Sequence, residues 1–278
     1  QMKTLTKVTV AAIYASGLVL SPGAWAQEAQ TPINIVSRLA KKEPASIRVM
    51  YPAGGCLVSA NTTNPSTVKI YGSNDSSGTS TAIASEWGSY KVVQSPANGF
   101  GPLCGAHVLV GDERYDLVQF HFHTPSEHTF NGVQSPVEVH FVHINSRDGC
   151  SAGERPLLVV GAFINPGDGK ELDRLFEEGS LPKSTSIDLA SLLPAQPNGY
   201  IHYDGSLTAP NTDCSWREGG KLTQLVTGIF PEAVNWYVLS DVLHLSSKSI
   251  ERLRALFPEG NARPVKPLNE RSLYRGVR

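Results

Sequence analysis

Apolar and polar residues alternate with a period of two through several short stretches of this chain, the signature of half-buried strands. The clearest are residues 115–123 and 137–143. A strand turns successive side chains to opposite faces, so Val118, Phe120, Phe122, Val139 and Phe141 are expected on one apolar face. His121, His123, Glu138 and His140 then take the other. Residues 67–71 and 157–163 read as further strands, and Gly, Pro, Ser and Asn punctuate the intervals. Residues 61–80 read as a loop with one embedded strand. Two stretches carry helical spacing instead, 170–179 and 247–257. The second sets Ile250, Leu253 and Leu256 on one face and is stopped by Pro258 and Gly260. No repeat or heptad is present. The pattern predicts a mainly β (α+β) single domain with a large, mostly antiparallel twisted central sheet and a few short peripheral helices.

The polar face of the two histidine strands carries candidate chemistry. His121 and His123 are about 6.6 Å apart along one strand, close enough for both rings to reach one ion. His140 on a neighbouring strand adds a third. A catalytic zinc keeps three protein ligands and leaves a fourth position for water, whereas a structural zinc closes its shell with four. Gln119 and Glu138 lie two residues before His121 and His140 on the same faces, where they can accept the second ring N–H of each ligand. A second metal reading takes His121, His123 and Glu127 as the first half of a cupin signature for iron or manganese. The second half of that signature is not found around His140, which leaves a cupin-type metal oxygenase far behind.

The match to a known family runs well beyond the histidines. QFHFHTPSEH at 119–128 and EVHFVH at 138–143 resemble the zinc strands of the alpha-class carbonic anhydrases, in their bacterial, exported form. YDGSLTAP at 203–210 resembles that family's Y-x-G-S-L-T-x-P loop. EAVNWYVL at 232–239, NARPVKPLNER at 261–271 and QTPINI at 30–35 are similar to three further family segments. The resemblance implies Zn2+ held by His121, His123 and His140, with Gln119, Glu138 and the backbone carbonyl of Asn261 orienting the rings. It implies reversible hydration of CO2 to bicarbonate and a proton by a zinc-bound hydroxide. Thr208 would accept a hydrogen bond from that hydroxide and donate its own to Glu127. Val142, Val159, Leu207, Val234 and Trp236 would form the apolar wall for CO2, and His128 and His143 would be structural. The family's proton-shuttle histidine aligns best with Ser89, which cannot titrate near neutrality. The aromatic-rich segment preceding the first family motif is not matched before Gln30, and residues 215–230 read as an insertion. A carbonic anhydrase-like zinc-binding protein with little or no catalysis is the alternative.

Compartment and charge complete the reading. Lys3 and Lys7, the apolar stretch 8–20 and Ala24-Trp25-Ala26 form a signal-peptide pattern with cleavage expected after Ala26. The apolar run is shorter than the roughly 20 residues a membrane-spanning helix needs. Residues 1–26 are thus expected to be a signal peptide and 27–278 one domain, periplasmic or secreted, monomeric or homodimeric. The 24 basic residues include Lys3 and Lys7, so 22 remain against 25 acidic ones. That balance points to a small-molecule substrate and away from nucleic acid or an anionic membrane. Cys56, Cys104, Cys150 and Cys214 lack C-x-x-C spacing and allow three disulfide pairings.

Overall fold

A computed structural model of the chain describes residues 29–43, 46–63, 68–71, 80–83, 89–94, 103–145, 157–179, 183–208, 232 and 234–277. The expected signal peptide, the 215–230 insertion, Cys150 and Cys214 lie outside them. Among the described residues a thirteen-stranded sheet dominates. Its main path runs Lys183–Asp188, Gly55–Thr63, Ser89–Gln94, Glu113–His123, Val137–Asn145, Leu157–Pro166, Val234–Leu239, Gly199–Gly205, Tyr274–Val277 and Lys41–Lys42. Most neighbours are antiparallel. Leu157–Pro166 pairs in parallel with Val234–Leu239 and Leu243–Leu245, and Tyr274–Val277 with Lys41–Lys42. The expected fold class is the one observed.

The two histidine strands, Glu113–His123 and Val137–Asn145, lie in the middle of this path, and the second is buried along nearly its whole length. Burial on both faces is why its apolar and polar residues alternate without an exposed set. Phe120, Phe122, Val139 and Phe141 enter the larger core cluster on one face. Val118 does not join them. Val142 pairs with Gln119 but His143 pairs with Leu117, so the register skips Val118. This β-bulge sets two residues against one and turns the extra side chain over. Val118 therefore packs in the smaller cluster with Val142, Val159 and Trp236, on the histidine side.

Two local expectations also change. Residues 170–179 form no α-helix; a 3-10 turn covers Asp173–Phe176 alone. Lys170 sits at φ 45° and Gly179 at φ 145°, left-handed backbone that a helix cannot contain. Leu172, Leu175 and Phe176 are still buried, so the apolar spacing is satisfied by one tight turn. Within 61–80, residues up to Thr63 finish the Gly55–Thr63 strand, and Val68–Tyr71 pairs with Ser80–Ile83 in a separate ribbon. The helix Ser247–Leu256 forms as the pattern predicts. Ser246 caps it by accepting the Ser249 N–H, and Ile250 and Leu253 are buried. Cys56 and Cys104 form a disulfide joining the Gly55–Thr63 strand to the turn ahead of His107–Val110.

Candidate metal centre

In the antiparallel register His140 stands opposite His121, and Glu138 opposite His123. Directly opposed residues share a face of the sheet, so the three rings gather on one side. Their centroids are 4.6 to 5.2 Å apart, and each ring offers one nitrogen such that all three lie within 4.8 Å of one another. A tetrahedral zinc with bonds of about 2.0–2.1 Å asks for nitrogens roughly 3.3 Å apart, which small ring rotations supply.

Each ring is held from behind by a different group. His121 Nδ1 donates to Gln119 Oε1 at 2.9 Å, and His123 Nδ1 to the Asn261 carbonyl at 3.1 Å. The Asn261 side chain fixes that carbonyl by accepting the Thr124 N–H and donating to Phe122 O. His140 Nε2 lies 3.0 Å from Glu138 Oε1, an ion-pair distance without the alignment of a hydrogen bond. This leaves His121 Nε2, His123 Nε2 and His140 Nδ1 for the space between the rings. The last two are buried without a hydrogen-bond partner. Orphaned buried nitrogens are unfavourable unless something occupies the gap, and three imidazole donors with outer acceptors already in place fit a zinc ion.

The electrostatics favour neutral ligands at two of the three positions. Burial, reinforced by the neighbouring His123, His140 and Lys91, holds the His121 pKa well below its usual value, and burial also lowers His123. For His140 burial works in the same direction, but the Glu138 carboxylate outweighs it and raises the pKa. Glu138 stays ionised: despite burial, His128 and His140 hold it well below the usual carboxylate range. Its Oε1 accepts from His128 Nδ1 at 2.7 Å and its Oε2 from the His128 backbone N–H at 2.8 Å.

Behind His128 stands a buried chain that the spacing of polar residues did not reveal. The Tyr203 hydroxyl lies 2.6 Å from His128 Nε2 and 3.3 Å from Thr31 Oγ1. Thr31 Oγ1 accepts the Ser206 N–H, and Trp236 Nε1 donates to Ser206 O at 2.9 Å. Arg263 closes the arrangement from the C-terminal side. Its backbone N–H donates to Glu127 Oε1 at 2.8 Å, and its guanidinium to Thr31 O and Gln30 Oε1. Burial lowers the Arg263 pKa to about 10. Tyr203 and Arg263 stand inside recognisable motifs, yet partners 75 to 172 residues away, such as His128, Glu127 and Thr31, are invisible to local periodicity.

Glu127 Oε2 is buried 3.8 Å from His140 Nδ1 and has no hydrogen-bond partner. Thr208 is buried as well, and among the described residues no hydrogen bond joins the two. Val142, Val159, Val234 and Trp236 share one buried cluster, with Leu207 packed against it. Trp236 meets His140 edge-on at 4.8 Å between centroids, which brings this apolar surface up to the histidines. Ser89 opens the Ser89–Gln94 strand opposite Thr63; its side chain lies outside the described residues.

The family model for eukaryotic-type carbonic anhydrase matches residues 21–216. The chain is 32% identical over 176 residues to a carbonic anhydrase of Nostoc sp., covering 62% of this chain and 58% of that protein. It is 31% identical over 169 residues to one of Pectobacterium atrosepticum, covering 60% and 61%. The matched region thus spans about three fifths of these relatives. An alpha-carbonic anhydrase of Thermovibrio ammonificans, solved in complex with the inhibitor sulfanilamide, superposes with a TM-score of 0.59 at 29% identity, over 89% of this chain and 87% of that one. Dioscorin complexed with ascorbate gives a TM-score of 0.62 over 90% and 86% at 19% identity, a likeness of fold alone. These matches displace the cupin reading, as does Glu127 Oε1, which is engaged by the Arg263 N–H. The chain belongs to the eukaryotic-type, or alpha, carbonic anhydrase family.

Proposed function

We propose that this protein is an exported zinc carbonic anhydrase that interconverts CO2 and bicarbonate. The observation that carries the reading is the set of three inward ring nitrogens, each backed by its own acceptor, beside an apolar wall. His121, His123 and His140 would hold zinc, which when bound supplies the Lewis acidity that lets water ionise near neutral pH, the chemistry for which carbonic anhydrase is the standard example.

The chain's own residues do the rest. Gln119, Glu138 and Asn261 fix the ring tautomers and directions. Val142, Val159, Leu207, Val234 and Trp236 seat an uncharged, apolar substrate without offering it a competing polar partner. In that reaction Thr208 would accept a hydrogen bond from the attacking oxygen and turn its own hydroxyl proton towards Glu127, so that an oxygen lone pair would aim at the carbon of CO2. The partnerless Glu127 Oε2 supports this direction, because it is an acceptor with capacity to spare. The Cys56–Cys104 disulfide supports export to an oxidising compartment. Among the described residues no helix is long and apolar enough to cross a membrane.

One observation favours the second reading, a zinc-binding relative with little catalysis: Thr208 and Glu127 are not hydrogen-bonded to each other. Metal content and CO2 hydration of two variants separate the readings. His121→Ala is expected to lose zinc and activity together. Thr208→Ala is expected to keep zinc and hydrate CO2 at least about a hundredfold more slowly; unchanged turnover in that variant would refute the role given to Thr208.

A further inference from the structure

The turn Asn131-Gly132 joins the strands Thr129–Phe130 and Val133–Gln134 of the small three-stranded sheet. Both of its residues have left-handed backbone, Asn131 at φ 49° and Gly132 at φ 83°, the conformation for which tight hairpins favour Asn-Gly. Both are exposed. The third strand, Asn34–Ile35, runs parallel to Thr129–Phe130, and the turn reaches across to hold the chain beyond it. The Asn131 N–H donates to Ile35 O and the Gly132 N–H to Asn34 Oδ1, each at 2.8 Å. The Asn131 side chain accepts the Ser37 N–H on Oδ1 at 3.1 Å and donates from Nδ2 to Ser37 Oγ at 3.2 Å.

This pair of residues also carries a reaction. Asparagine is a chemically labile side chain, because the backbone nitrogen that follows it can attack its amide carbon. A glycine at the next position leaves that nitrogen unshielded. The Gly132 N–H gives its proton to a base in the solvent, its nitrogen bonds to Asn131 Cγ, the Cγ–Nδ2 bond breaks and ammonia leaves. Water then opens the cyclic imide at either carbonyl, giving aspartate or isoaspartate. Nothing is oxidised or reduced, and solvent water is the co-reactant. In the folded chain both reacting groups are engaged. The Gly132 proton rests on Asn34 Oδ1, and both ends of the Asn131 amide are bound to Ser37. Those bonds must open before the nitrogen can reach Cγ.

We propose that Asn131 is a site of spontaneous deamidation, held latent by Asn34 and Ser37. Either product lacks the Nδ2 donor to Ser37, and isoaspartate also lengthens the backbone of the turn. Deamidation is therefore a one-way release of residues 34–37, the continuation of the segment that begins at Thr31 beneath Tyr203 and Ser206. This goes beyond the carbonic anhydrase reading and depends on neither zinc nor turnover.

The test incubates the full chain at mildly alkaline pH and follows each Asn-Gly pair by peptide mapping with mass spectrometry. Asn198-Gly199 is the internal reference: Asn198 is bound to Asp241 through its N–H and its amide, and Gly199 is buried. Asn131 in the folded wild type is expected to react at least about tenfold more slowly than in the urea-unfolded chain, since local opening must precede attack. Asn34→Ala is expected to speed the reaction at Asn131 about two- to tenfold, the worth of one hydrogen bond, with Asn198 unchanged. Asn34→Asp keeps the acceptor and is expected to stay protected. Equal rates at Asn131 in the folded and unfolded wild type would overturn the proposal, as would an Asn34→Ala rate no higher than wild type. Equal acceleration at Asn131 and Asn198 in Asn34→Ala would also overturn it, because it would mean general unfolding and not loss of the Asn34 bond.

Discussion

Glu138 Oε1 lies 3.0 Å from His140 Nε2, and this relationship turns His140 Nδ1 towards the other two rings. The same oxygen accepts from His128 Nδ1 at 2.7 Å, and Oε2 is taken by a backbone N–H. A glutamine has one acceptor oxygen and cannot serve both sides. Glu138→Gln is predicted to weaken zinc binding about ten- to a hundredfold, the usual effect of losing an outer partner of a metal ligand. Competition against a chelator of known affinity measures it.

Gly161 is opposite His140 on the next strand, and its bare backbone makes room for the Glu138 carboxylate. A Cβ there would meet Glu138 Oε1 at 3.1 Å and His140 Cδ2 at 3.8 Å. Gly161→Val is predicted to destabilise the fold by about 1–3 kcal/mol, the range for overpacking, and to weaken zinc binding by displacing Glu138. Urea midpoints with the same chelator competition test both effects, and an unchanged metal affinity would contradict the steric role.

His143 gives the fold a pH dependence. Its Nδ1 donates to Leu158 O at 3.2 Å, so Nε2 accepts from the Tyr51 hydroxyl at 2.8 Å. Burial lowers its pKa from 6.5 to about 4. Between those values the unfolded chain binds a proton that the folded chain refuses. The stabilisation is complete above pH 6.5 and is lost as pH falls towards 4, by up to about 3 kcal/mol. Urea unfolding of wild type and His143→Gln at pH 7.5, 6 and 5 is expected to show the wild-type advantage shrinking with acidity; a constant difference would contradict it.

Proton removal sets the fourth expectation. With Ser89 where the family's shuttle histidine is expected, hydration in dilute buffer is predicted to be limited by proton transfer. Added imidazole should raise the turnover at least about tenfold with saturation. A rate independent of buffer would mean that another titrating group carries the proton.

The histidine centre was legible because it depends on strand alternation alone. His121, His123 and Glu138 with His140 share a face by period two, and Gln119 follows from the same rule. Val118 was misplaced for a physical reason: a one-residue bulge inverts the alternation, and no residue type announces it. The 170–179 stretch kept its buried Leu172, Leu175 and Phe176 but not its helix, because left-handed backbone at Lys170 and Gly179 brackets one turn. The pairing of Cys56 with Cys104 was not readable among three alternatives. Nor was the chain from His128 through Tyr203 to Thr31, whose members are brought together only by the folded sheet.

The most direct measurement is stopped-flow CO2 hydration by the purified, zinc-loaded chain, with sulfanilamide, the inhibitor bound by the Thermovibrio relative, as control. Rapid hydration, abolished by sulfanilamide and by zinc removal and restored by added zinc, is the predicted result. A chain that binds one zinc at the three histidines yet hydrates CO2 no faster than buffer would contradict the account, and would place the protein among zinc-binding relatives that have kept the fold without the reaction.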